Sequence, residues 1–281
     1  MSHDRMRSTL ATRFLNTPLA LRANQAGVIV SALTAPQAGY YDYAESSRRS
    51  TRDDRPYDLV GNVAVIPVKG VLMARLPRWS WYYFDEMSGY DAIRFSTLMA
   101  LGDDDVQGIA FDIDSPGGEV AGCFDLVDAL YNVRGAKPMW AILSENAYSA
   151  GYAIASACDR ICVPRTGGVG SVGCIMLHTD ISRWLEEQGV AVTLIQYGDR
   201  KSDGTDVLPL SKEARQRFQS DIDAMGDLFV KTVARNRGIS EAKVRKTEAS
   251  TFLGADGVSI GFADAVMAPD EAFTALLKKL G

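Results

Sequence analysis

The sequence predicts an α/β fold: a mainly parallel sheet with crossover helices, followed by a long C-terminal helix. Two observations carry this. From Leu59 onward, short β-like runs alternate with segments of helical spacing, the pattern of a parallel sheet. Near the end, Ala214, Phe218, Ile222, Met225, Phe229 and Val233 recur in steps of three and four, one continuous apolar stripe on a helix that Ser211 can cap.

Taken in order, "NVAVIPVKG" (62–70), "VQGIAFDID" (106–114), "PMWAIL" (138–143), "RICVP" (160–164) and "VAVTLIQYG" (190–198) read as strands. "YDAIRFSTLMALG", "EVAGCFDLVDALYNVRG" and "DISRWLEEQG" read as helices with Gly at or near the stop. The long helix, about 40 Å at 1.5 Å per residue, exceeds what one small sheet must cover, so part of its stripe is expected at a subunit contact. Residues 1–57 lack periodicity and read as an N-terminal arm or linker, leaving 58–281 as the α/β domain. The aromatic segment "RLPRWSWYYFDEMSG" (75–89) suits either a peptide groove or an oligomer contact.

With 281 residues, 47% hydrophobic and 23% charged, composition is that of a globular chain. A net charge of −5 argues against nucleic acid or an anionic membrane as main partner, since both call for clustered basic surface. No apolar run approaches the roughly 20 residues that span a bilayer, and a soluble, cytoplasmic protein is expected. Cys158, Cys162, Cys174 and His178 form a C-x3-C-x11-C-x3-H string that looks like zinc spacing. The intervening segments read as strand and loop, which would make the four side chains diverge. Free thiols, no metal and no cofactor are expected.

Two strand-to-helix junctions carry possible chemistry. "FDID" runs into "SPGG" (115–118), read as a turn whose glycines leave N–H groups exposed for an anion. Ser149 heads a helix of small residues, "AGYAIASA", where Ser is also a favoured N-cap. Both junctions fall at the carboxyl ends of strands in one parallel sheet, where ligands gather. A nucleophile from one and backbone donors from the other would make an acyl-transfer site. The nucleophile needs a base. His3 lies in the arm, His178 is one candidate, and Lys201, in the loop "QYGDRKSDG" (196–204), is the other, by the Ser-Lys route.

"FDIDSPGG", "AYSAGYAIASACDRI", "GGVGSVGCIMLHTDIS" and "IQYGDRKSDG", in this order and spacing, resemble the signal peptide peptidase A family of serine proteases, with the Clp protease–crotonase fold. The resemblance covers about Gly61 to about Val266. "SGYDAI", "PLAL", "LEEQGVAVTLI" and "FLGADGVSIGFADAV" are most similar to its phage head-maturation branch. It implies that Ser149 attacks a peptide carbonyl and Lys201 takes the proton. It further implies that the N–H groups of Gly118 and Ala150 hold the oxyanion, Gly117 shapes the turn and Ser171 helps hold the lysine.

Implied partners are protein or peptide substrates, namely phage capsid, scaffold or portal proteins, and further copies of the chain in a homo-oligomer. No anchor is expected, unlike in membrane-bound relatives, and no scaffold-like extension beyond Gly281 is expected, unlike in some phage relatives. Two other classes remain open. A crotonase-type acyl-CoA enzyme would use the same turns without a serine nucleophile, and a catalytically silent head protein would keep the fold alone.

Overall fold

The computed structural model describes residues 15, 17–21, 55–76 and 87–281. In chain order its strands are β1 (Pro18–Leu21), β2 (Asp58–Val60), β3 (Val63–Met73), β4 (Met87–Gly89), β5 (Gly108–Glu119), β6 (Met139–Tyr148), β7 (Arg160–Val163), β8 (Gly168–Gly170), β9 (Ile175–Met176), β10 (Thr251–Leu253) and β11 (Ala265–Val266). The helices are α1 (Tyr90–Gly102), α2 (Cys123–Asn132), α3 (Ala150–Ser156), α4 (Ser182–Glu187), α5 (Lys212–Arg237), α6 (Glu241–Arg245), α7 (Gly254–Ser259) and α8 (Pro269–Leu280).

β3, β5, β6 and β7 pair in parallel and form the centre of the sheet. β5 alternates cleanly: Ile109, Phe111 and Ile113 face the main core with α2, α3 and α5, while Asp112 and Asp114 point to the other face. On that second face α8 buries Ala272 and Leu276 against Val63, Ala110, Trp140 and Ile142. Helices on both faces of a mostly parallel sheet are the expected α/β architecture.

Four readings of the sequence change. "SPGG" is no turn outside the sheet: β5 continues through Glu119, because β3 pairs with Gly117 and Gly118 on one side and β1 on the other. Bulges between Ile113 and Ser115 and between Lys69 and Val71 let the strands stay paired there. "TGGVGSVG" contains a strand, β8, whose glycines fit under a close neighbour; a Cβ on Gly168 would lie 2.2 Å from the Tyr148 hydroxyl. Residues 190–198 form no strand and pair with none among the described residues: Ile195 is 98% and Tyr197 100% exposed. Finally, Pro18–Leu21, inside the expected arm, is a strand of the main sheet. Residues 77–86 of the aromatic segment, and His3, lie outside the described residues.

The long helix is present, with Ser211 accepting from the Ala214 N–H at 3.1 Å and Gly238 closing it at φ +64°. Its stripe is buried at Phe229 and Val233 but only half covered at Phe218, Ile222 and Met225.

Candidate active site

α3 can lie directly on the sheet because Gly151, where it meets β5, has no side chain. A Cβ on Gly151 would sit 3.1 Å from the Ser115 Cβ, and all seven residues of the helix are buried. Its far end is clamped. Arg134 donates to the carbonyls of Ala157 at 2.8 Å and Ser156 at 3.2 Å, and Asn236 donates to the Ser156 hydroxyl at 2.9 Å. A cation on the last carbonyls suits the helix C-terminus. The helix is thereby fixed, and Ser149 at its head with it.

Ser149 occupies the N-cap position but does not cap: its side chain makes no cap hydrogen bond. Its backbone is strained, with φ +53° and ψ −118°, a conformation costing on the order of 1–3 kcal/mol that persists only where neighbours enforce it. They do so here through the Ser149 N–H on the Gly170 carbonyl and the Ser149 carbonyl under the Ala153 N–H, both at 2.8 Å. The hydroxyl instead turns toward the Gly173 carbonyl at 3.5 Å, a long and weak contact. Such a serine is positioned rather than structurally occupied.

Opposite it stands the glycine-rich end of β5. Gly117 has φ +106°, open only to glycine, and a Cβ there would lie 2.9 Å from the Ser149 Cβ. A Cβ on Gly118 would lie 1.8 Å from the Leu72 carbonyl oxygen, so the strands touch backbone to backbone. Ser115 shapes this bend: its hydroxyl donates to the Gly70 carbonyl at 2.7 Å and accepts from the Gly117 N–H at 3.1 Å. Ala150, the first helical residue, has an N–H without an intrahelical partner. Ser171, buried and at φ +57°, follows the glycine that anchors Ser149 and lines an open cavity with Gly173, Ile175 and Leu21.

The structure thus brings Ser149, Ala150, Gly117, Gly118 and Ser171 together. Lys201 stands apart. It is exposed in the turn 198–204, which is tied to α5 by Asp203 accepting from Arg217 at 2.8 Å. No hydrogen bond of its ammonium to Ser149 exists among the described residues. His178 is half-buried just beyond β9. The members of the C-x3-C-x11-C-x3-H string lie on separate elements. Cys158 follows α3 with its thiol toward the Ile154 carbonyl at 3.8 Å, Cys162 is on β7 against the Met267 sulfur at 4.0 Å, and Cys174 precedes β9.

One polar cluster was missed from sequence. Lys69 on β3 contacts Asp112 and Ser144, each at 2.6 Å, and Ser144 donates to Asp112. This is a serine in contact with a lysine, but on the sheet face opposite α3 and with the ammonium committed to a carboxylate. An ion-paired ammonium has no lone pair with which to accept a proton, so the cluster reads as a tie across three strands. The signal was the polar alternation Asp112, Asp114 within β5.

A strained serine at a strand-to-helix junction, facing a glycine backbone across one van der Waals gap, is the layout of a serine-dependent acyl-transfer site. Residues 132–281 match peptidase family S49, and the chain belongs to that family. It is 39% identical over 229 residues, 82% of its length, to the head-tail preconnector protein GP5 of Enterobacteria phage P21. It is 37% identical over 225 residues, 80% of its length, to the capsid assembly protease C of Escherichia phage lambda. The chain spans about half the length of these relatives, 45% and 51% respectively. Among solved structures it is similar to a point mutant of ClpP1 from Listeria monocytogenes, at TM-score 0.44 and 11% identity, over 72% of this chain and 90% of that one. Among the described residues no helix is long and apolar enough to cross a membrane.

Proposed function

We propose that the chain is a serine endopeptidase acting on proteins of a phage head during assembly. The observation that carries this is the strained, non-capping Ser149 held against Gly117 and Gly118. Ser149 Oγ attacks the substrate carbonyl carbon, and its proton passes to Lys201 and then to the departing amine. The N–H groups of Gly118 and Ala150 receive the negative charge on the carbonyl oxygen, where preorganised donors lower the barrier most. Gly117 keeps the approach open, and Ser171 helps hold the lysine. The chemistry needs no metal or cofactor.

Lys201 has to reach the serine and be sheltered from water, since only the neutral amine can accept a proton. The segment before it carries Leu194, Ile195 and Tyr197 in solvent, and the α5 stripe is only half covered at Phe218, Ile222 and Met225. Both fit a homo-oligomer whose formation folds this segment over the site. The exposed Lys201 is also what favours a second reading, a silent head protein of the same fold.

The test incubates the chain, as wild type and as Ser149→Ala, with the structural proteins of a phage head and identifies new termini by mass spectrometry. Termini that depend on Ser149 support the peptidase; their absence from both samples supports the silent reading.

A further inference from the structure

β1 lies in a slot one strand wide. On one side it pairs antiparallel with the end of β5 (Leu19 with Glu119, Ala20 with Gly118, Leu21 with Gly117), and on the other with β9 (Pro18 with Met176, Leu19 with Ile175). Among the described residues β9 has no other partner strand, so β1 fills a gap between two edges. Adding an extended segment to open edges is a general way of binding peptides.

The register places one bond at the serine. The Val120 N–H donates to the Pro18 carbonyl at 3.3 Å. Hydrogen-bonded pairs alternate along an antiparallel ladder, so the next such pair is Ala20 with Gly118, and the Gly118 N–H points to the Ala20 carbonyl. The point a Cβ on Gly117 would occupy is 2.1 Å from the Ala20 carbonyl oxygen, 3.1 Å from its carbon and 2.9 Å from the Ser149 Cβ. That carbonyl therefore sits at the glycine end of β5, beside the point where Ser149, which is 0% exposed, also approaches Gly117. The side chains fit the same placement. Leu19 and Leu21 bury on one face with Met73 and Ile175, and Ala20 turns the other way into the main core.

Resting on the serine peptidase reading, we propose that Pro18–Leu21 is held as the chain's own substrate and that Ser149 cuts the Ala20–Leu21 peptide bond. Ser149 Oγ bonds to the Ala20 carbonyl carbon, the bond to the Leu21 nitrogen breaks, and the serine proton ends on the new Leu21 amine. Water then hydrolyses the ester, leaving a carboxylate on Ala20 and restoring the serine hydroxyl. Release of the cut strand opens the slot to other extended segments with a small residue before the cut and apolar residues beside it.

The test follows the intact mass of the purified full chain, as wild type and as Ser149→Ala, from pH 6 to 10. The same samples receive β-casein, an unstructured protein that reports peptidase activity in general. The expected result is loss of residues 1–20 from wild type, with a new terminus at Leu21, and no loss from Ser149→Ala. If casein is cut in a Ser149-dependent way while the chain stays whole or is cut elsewhere, this inference is overturned and the peptidase reading stands. A Leu21 terminus in both samples also overturns it, since the cut is then another enzyme's. If neither casein nor the chain is cut at any pH, both readings fall.

Discussion

The backbone of Gly117 stands against Ser149 so closely that a methyl group on it would come 2.9 Å from the serine Cβ. Two strands and a helix N-terminus converge at that point. The strain in Ser149 and the bare backbone of Gly117 are thus one feature seen from two sides.

Gly117→Ala is expected to cut proteolysis by about a hundredfold or more, the range seen when oxyanion donors are misplaced. It would also cost about 1–3 kcal/mol of stability through its positive φ. Steady-state kinetics with a denaturation curve checks this. Near-wild-type turnover in a folded Gly117→Ala chain would contradict the placement.

Gly151→Val is expected to push α3 off β5, because even a Cβ meets Ser115 at 3.1 Å. Overpacking of this kind costs about 1–3 kcal/mol. The turnover number should fall more than the Michaelis constant rises, since the shift moves the serine and leaves the strand slot in place.

Much of this was legible in the sequence. α1 runs over Tyr90–Gly102 as its periodicity implies, and α5 keeps its cap, stripe and closing glycine. Ser149 and its small-residue helix were readable because local composition carries them. The role of β1 was not: four residues in an aperiodic stretch become a strand only through partners about a hundred positions away, and no local pattern encodes that pairing. Residues 190–198 failed in the opposite sense. Their apolar composition suits a strand, but a strand forms only by pairing, and these residues pair with none among the described residues and stay mostly exposed.

Burial pushes the thiols of Cys123 and Cys174 up to about 12. The thiolate is the reactive form, so alkylation of the native chain by iodoacetamide at pH 8 should leave both unmodified, with full reaction after unfolding. Rapid labelling of Cys123 in the folded chain would contradict its burial.

Phe218, Ile222 and Met225 on α5, with Ile195 and Tyr197, are expected to lie at a contact between copies. Ile222→Asp should therefore shift light scattering from oligomer to monomer and lower activity together with it. A wild-type chain that is monomeric at tens of micromolar would contradict the assembly.

The base separates two candidates. An ammonium cannot accept the serine proton, so a lysine base acts only as the neutral amine. Arginine keeps the charge but does not deprotonate in proteins. Lys201→Arg should therefore be as inactive as Lys201→Ala, while a folded His178→Ala chain keeps substantial turnover. A folded, active Lys201→Arg chain, or a folded, inactive His178→Ala chain, would return the base to histidine.

Whether Ser149 is the nucleophile is decided by the rate of β-casein cleavage by Ser149→Ala against wild type at the pH of highest activity. Because the hydroxyl makes no cap bond, the variant should fold with nearly unchanged circular dichroism and melting temperature. Its cleavage rate should drop by at least about a thousandfold, as when a catalytic serine is removed. A folded Ser149→Ala chain that cuts casein at the wild-type rate would contradict the account.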